Sequence, residues 1–160
     1  MPIKVNIQLL ERETEHLVGE LPAAEISEGY RDNLISFAHP LHYDLEVERQ
    51  PQGILATGEL RLPITCQCRR CLKSFEDSVE IPDFAALAPL DGEDAITCEG
   101  DFADLTPFLR EDIYLLLPTN PLCSPNCPGL VKPSEAGVSD SEPPEESGGS
   151  PWAALDQLKL

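Results

Sequence analysis

The chain has 160 residues, which at the usual ~100–200 residues per domain allows one domain of ordinary size plus an appendage and argues against a second full domain. Eleven Lys and Arg stand against 29 Asp and Glu, a formal net charge of −18. That sign disfavours nonspecific binding to nucleic acid, which works by releasing counterions from phosphates, and to anionic membrane surfaces, but it permits a basic protein partner.

In chain order, Met1-Pro2-Ile3-Lys4-Val5 lacks a basic region followed by an apolar one, and no later stretch approaches the roughly 20 apolar residues of a spanning helix. The expectation is a soluble, cytoplasmic protein with no membrane partner. Ile3, Val5, Ile7 and Leu9 alternate with polar residues and predict a strand. Over Glu25 to Phe37 the residues Ile26, Tyr30, Leu34 and Phe37 have helical spacing, interrupted by Gly29. Leu41, Tyr43, Leu45 and Val47 alternate again, Gln50-Pro51-Gln52-Gly53 supplies a turn, and Ile54 to Ile64 resumes an extended pattern. This predicts an antiparallel hairpin that leads directly into the first cysteines. Phe75, Val79 and Ile81 suggest a further strand, Asp91-Gly92-Glu93 a turn, and Ala95-Ile96-Thr97-Cys98 a short strand with Cys98 in the core. A helix follows, with Thr106 as N-cap, Pro107 at the first helical position, a stripe of Leu109, Ile113, Leu116 and Leu117, and Pro118 as the stop.

Composition breaks at residue 131. Residues 131–150 are rich in Ser, Glu, Pro and Gly with almost nothing apolar, which predicts a disordered acidic linker. Residues 151–160 carry Trp152, the only Trp, with Leu155 and Leu158 at steps of three. They predict a short C-terminal helix that needs a surface to dock on. The fold class is therefore α+β, an antiparallel β-sheet with packed helices and a cysteine knuckle. Its domain spans 1–130, followed by the linker 131–150 and the docking segment 151–160.

Six cysteines in a reducing compartment are better read as metal ligands, reactive thiols or buried small hydrophobes than as three disulfides. Cys66-Gln67-Cys68-Arg69-Arg70-Cys71 is answered, after a gap of 51 residues, by Cys123-Ser124-Pro125-Asn126-Cys127. A Cys-x2-Cys turn presents two sulfurs from one tight loop, and a second pair can complete the tetrahedral shell that zinc prefers. Cys68, Cys71, Cys123 and Cys127 are the expected ligands of a structural zinc, with Cys66 as a substitute. Four thiolates leave no open position for water, so the metal would tie the end of the hairpin to the end of the helix. Arg69, Arg70 and Lys73 form the one basic cluster, read either as offsetting the thiolate charge or as a contact point for a partner or RNA phosphate. His16, His39 and His42 are scattered and predict no cysteine–histidine dyad. Asp104 and Glu111 are read as helix-start and solvated-face residues rather than as part of a nuclease site with Asp101 and Asp112.

The cluster Cys68-Arg69-Arg70-Cys71-Leu72, then Asp104-Leu105, Arg110-Glu111-Asp112 and Leu117-Pro118, then Cys123-x3-Cys127-Pro128-Gly129-Leu130, and finally Pro151-Trp152-Ala153-Ala154-Leu155-Asp156-Gln157-Leu158, form an ordered set. In this order they resemble YceD-like proteins, the large ribosomal RNA subunit accumulation proteins, from about Leu41 to the end. The resemblance implies a non-catalytic ribosome-biogenesis factor supporting synthesis, processing or stability of large-subunit ribosomal RNA. The acidic charge then favours a basic ribosomal protein or a large-subunit assembly intermediate as partner, with direct RNA binding weak or indirect. Relatives commonly carry two further cysteines where this chain has Val131 and Ser134, so one pair from each cluster remains. The alternative is a zinc-stabilised interaction module unrelated to ribosomes, since fold alone does not dictate function.

Overall fold

The computed structural model describes residues 2–130. In chain order the elements are β1 (Lys4–Asn6), α1 (Ile7–Leu10), β2 (Glu15–Leu21), α2 (Ala23–Ser27), β3 (Ile35–Ser36), β4 (Leu41–Gln50), β5 (Gly53–Gln67), β6 (Ser74–Pro89), β7 (Cys98–Glu99), β8 (Phe102–Asp104) and α3 (Thr106–Leu116). The α+β class with antiparallel sheets is as expected. The acidic linker 131–150 and the docking segment 151–160, with Trp152, lie outside the described residues.

The larger sheet grows from the predicted hairpin. β4 pairs with β5 through Arg49↔Ile54 and Gln50↔Gly53 across Pro51-Gln52, and the Arg49 guanidinium closes the turn by donating to the carbonyls of Gln50 (2.6 Å) and Gly53 (2.8 Å). β2 flanks β4, β6 runs along the other side of β5, and β3 joins the far end of β5 through Ile35↔Cys66. Between Gly58 and Leu60 the β5–β6 register shifts, because β6 uses Ile81 to Phe84 to span what β5 spans from Leu60 to Gly58. Gly58 has φ +148°, and a Cβ there would lie 2.0 Å from the Asp44 carbonyl oxygen, so only glycine fits. A smaller sheet has the order β1-β8-β7.

Period-two alternation divides the larger sheet into two faces. Leu41, Leu45, Val47, Ile54, Leu60, Leu62, Ile64 and Phe84 point inward and are buried. They pack in one core with Leu109 and Ile113 of α3 and with Ile26 of α2. α2 is fastened to α3 by Arg110, whose Nε and Nη2 donate to the Glu25 carbonyl at 3.0 and 2.7 Å, and by the Tyr114 hydroxyl, which donates to the Ile26 carbonyl. The opposite face, with His42, Asp44, Glu46 and Glu59, is exposed, and among the described residues no element covers it.

Several expectations are corrected. The alternation of Ile3 to Leu9 ends at Asn6, whose side chain accepts from the backbone N–H groups of Gln8 (2.9 Å) and Leu9 (3.3 Å) and caps the single turn α1. The helical spacing of 25–37 yields only α2; the chain leaves the helix at Glu28 (ψ 116°), Gly29 at φ +83° completes a turn closed by Tyr30 N–H donating to the Ser27 carbonyl (3.0 Å), and Ile35 and Ser36 pair with β5. Thr106 does not cap α3. Leu105 stands at the cap position, and the Thr106 hydroxyl accepts instead from Ile3 N–H (2.9 Å). The buried stripe is Thr106, Leu109, Ile113 and Leu117, while Leu116 is exposed. The strand expected over Ala95 to Cys98 shrinks to Cys98–Glu99 at a sheet edge, and Cys98 is exposed rather than core. No helix of the described residues is long and apolar enough to cross a membrane.

Candidate metal centre

β5 and β6 are joined by residues 68–73, and the chain folds back on itself there through backbone bonds and one side-chain bond, from Gln67 Nε2 to the Leu72 carbonyl (3.2 Å). Cys68 N–H donates to the Lys73 carbonyl (2.9 Å) and Leu72 N–H to the Cys68 carbonyl (2.9 Å). Leu72 takes φ +60°, rare for a residue with a Cβ, which completes the knuckle. The second loop follows α3. There Cys127 N–H donates to the Ser124 carbonyl (3.0 Å), and Asn126 N–H reaches Ser124 Oγ (3.4 Å).

The two loops are laced together. Arg69 N–H donates to the Pro121 carbonyl (3.0 Å), and its Nη1 donates to Asn120 Oδ1 (3.0 Å). Arg70 Nη1 donates to the carbonyls of Cys127 (3.3 Å) and Pro125 (3.5 Å). Both guanidinium groups therefore hold the second loop against the first, while Lys73 lies exposed beside them. Neither Asn120 nor Leu72 carries a sequence signal that would have marked it: one is a polar residue in a Pro-rich loop, the other a leucine at a position that usually asks for glycine.

This lacing brings Cys68, Cys71, Cys123 and Cys127 together with all four sulfurs within 4.8 Å of one another. Cys68 Sγ lies 3.8 Å from Cys127 Sγ, and Cys71 Sγ 3.6 Å from Cys123 Sγ. A disulfide needs about 2.05 Å, whereas a tetrahedron with metal–sulfur bonds of about 2.3 Å has edges of about 3.8 Å. The donor set thus fits a four-coordinate thiophilic ion. Cys68 and Cys127 are buried, Cys71 is half-buried and Cys123 exposed, so one side of the site faces solvent. Cys66 is not among the four. It lies buried on the inward face of β5 opposite Ile35 and Phe75, and burial pushes its thiol up.

Charge at the site is uneven. Backbone N–H groups, of Cys123 first and then Cys71 and Arg70, favour the Cys68 thiolate and hold its pKa down at about 6. The Cys123 thiol is pushed up to about 12 by the neighbouring sulfurs of Cys71 and Cys127. Four sulfurs this close cannot all ionise without a cation, and a bound metal supplies that charge. Among the described residues no other group of three or more His, Cys, Asp or Glu side chains converges in this way. Asp104 accepts from Thr106 N–H (2.9 Å) at the start of α3, and Asp101 from Gln8 Nε2 (2.9 Å). His16 and His42 pair with Asp44 and Glu20 on the open sheet face, and His39 is exposed.

Comparison with known proteins places these loops in context. The model of the family described as "Large ribosomal RNA subunit accumulation protein YceD" matches residues 56–159, a span that contains all four cysteines. An uncharacterized protein of Mycobacterium tuberculosis is 29% identical over 129 residues, covering 74% of this chain and 61% of that protein. An uncharacterized protein of Mycobacterium leprae is 28% identical over 115 residues, covering 66% of this chain and 52% of that protein. The chain thus spans about half to three fifths of the length of these curated relatives. No solved structure matches it significantly.

Proposed function

Because the chain belongs to the family of the large ribosomal RNA subunit accumulation protein YceD, we propose that it supports the accumulation of large-subunit ribosomal RNA as a non-catalytic biogenesis factor. The observation that carries this reading is the family match over residues 56–159, which takes in both cysteine loops. An excess of 18 negative charges argues that the factor works through a basic protein, a ribosomal protein or one in a large-subunit assembly intermediate, rather than by gripping RNA itself.

In this reading Cys68, Cys71, Cys123 and Cys127 hold a structural zinc ion. The ion supplies a cross-link between the β5–β6 hairpin and the segment after α3, and with four thiolates it has no position left for substrate. Arg69 and Arg70 keep the loops in register for it and offset part of the thiolate charge. Lys73, exposed beside them, is the residue of this cluster best placed to meet a phosphate of a bound particle.

Affinity isolation of the full chain from its own cells at moderate salt, with identification of both protein and RNA, tests the reading. Enrichment of large-subunit ribosomal proteins and precursor RNA is expected; recovery of neither overturns it. Native mass spectrometry of protein produced with zinc available tests the metal. A mass one zinc above the bare chain is expected, and the mass of the bare chain alone removes the site.

A further inference from the structure

The open face of the larger sheet concentrates the charge of the molecule. Along β4 its outward residues include Asp44, Glu46 and Glu48, and the neighbouring strands add Glu20, Glu59, Glu76 and Glu80, against Arg61 as the one Lys or Arg. That is 7 acidic to 1 basic, whereas the rest of residues 2–130 hold 16 acidic and 8 basic.

One pair of these carboxylates also costs the sheet stability, while two of them are met by histidines: His16 Nε2 lies 2.6 Å from Asp44 Oδ1, and His42 Nδ1 3.3 Å from Glu20 Oε1. Asp44 sits directly opposite Glu59 in the β4–β5 register, an arrangement of like charges that costs stability. Arg61 is turned the other way, toward Glu80 at 3.3 Å. Apolar groups lie open on the same face, with Val18 66% and Leu87 44% exposed. A shallow depression of about 410 Å³ joins Val18, Asp44, Glu59 and Arg61, and a second of about 380 Å³ continues it past Arg61 toward Glu76 and Ser78.

We propose that this open sheet face is a docking surface for a basic polypeptide segment, whose Lys or Arg side chains enter the depression beside Asp44 and Glu59 while its apolar groups cover Val18. The proposal rests on the reading of a basic protein partner given above and assigns the surface that meets it. Charge selects among occupants. Nucleic acid phosphate and a second copy of this chain are repelled, and residues 131–160 of the chain itself hold 6 acidic and 2 basic groups. The carboxylates are spread over four strands and do not converge on one cation.

The test uses a labelled peptide of alternating Arg and Ala and the full chain, read by fluorescence anisotropy at low salt. Removing the opposed charges with Asp44→Asn and Glu59→Gln weakens binding about tenfold or more. The control Glu93→Gln with Asp94→Asn, in the exposed turn after β6, removes the same charge and weakens it about twofold or less. Equal weakening by both pairs, or none by the first, overturns the proposal, as does tighter binding of a single-stranded RNA than of the peptide. Repeating the affinity isolation with the Asp44→Asn, Glu59→Gln chain separates the two readings. If the unaltered chain recovers large-subunit material and the altered chain recovers as much, the surface is wrong and the function stands. If the unaltered chain recovers none, the proposed function falls, while the peptide comparison still decides the surface.

Discussion

Cys68 and Cys98 are chemically identical and structurally opposite. Cys68 is buried, lies 3.8 Å from Cys127 Sγ and receives backbone N–H groups; Cys98 stands exposed on a two-residue edge strand. Cys68→Ser should abolish stoichiometric zinc in native mass spectrometry and lower the thermal midpoint, whereas Cys98→Ser should leave the metal in place and stability within about 0.5 kcal/mol. The first cysteine was legible because its neighbour Cys71 stands three residues away. The second reads as core, because a lone cysteine is usually buried and nothing in the sequence shows that its strand is so short. On the open sheet face, Glu59→Gln relieves the repulsion from Asp44 and should raise stability by about 0.2–1 kcal/mol, measured by chemical denaturation. Gly58→Ala should do the reverse, since its Cβ would meet the Asp44 carbonyl at 2.0 Å.

Among the elements, α3 shows how one surface serves two ends. Its buried side, Leu109 and Ile113, fills the core, and the Thr106 hydroxyl at its start accepts from Ile3 N–H and ties β1 to the helix. Ile113→Ala should cost about 2–5 kcal/mol in unfolding free energy, while Leu115→Ala, at a position 82% exposed, should stay within about 0.5 kcal/mol. The helix itself was readable from Pro107 and the spacing of its apolar residues. The short elements were not. Ile7 and Leu9 carry a strand's alternation, but the Asn6 side chain captures two backbone donors and turns the chain into α1. Ile26, Tyr30, Leu34 and Phe37 have a helix's spacing, yet Tyr30, Leu34 and Phe37 are needed by the core after Glu28 and Gly29 have already redirected the backbone. Local pattern loses to tertiary demand where an element has only a turn or a few residues to defend itself.

At the scale of the molecule the hairpin, the late helix and the pairing of two cysteine loops follow from the order of residues, while the way the loops are held does not. That depends on Arg69 and Arg70 reaching across to Asn120, Pro125 and Cys127, contacts between segments more than 50 residues apart that no local spacing encodes. The whole fold should respond to the metal. Chelation should lower the thermal midpoint and loosen the segment after α3, seen as faster amide exchange there. Affinity should also depend on pH. Backbone N–H groups hold the Cys68 thiol down and the neighbouring sulfurs push the Cys123 thiol up, so the four do not all ionise by themselves at neutral pH and Cys123 must give up its proton to bind. Metal uptake therefore releases protons, and the apparent affinity should fall as the solution is acidified. Competition against a chromophoric chelator across a pH series measures this, and an affinity independent of pH would contradict the arrangement of thiols described.

The distance along the chain between the two halves of the cysteine cluster has a consequence during synthesis. Cys71 and its partner Cys123 are separated by 52 positions, which at about 5–20 residues per second takes the ribosome roughly 3–10 s. For that interval the nascent chain carries Cys68 and Cys71 with the rest of their coordination shell still unmade. Under the proposed zinc reading, an ion caught early by one pair would have to be held, or caught again, until the last turn of α3 and the loop beyond it emerge from the exit tunnel. Completion of the four-cysteine cluster then coincides with the closing of the domain, so that under the zinc reading proposed above metal content would report on chains that have finished folding.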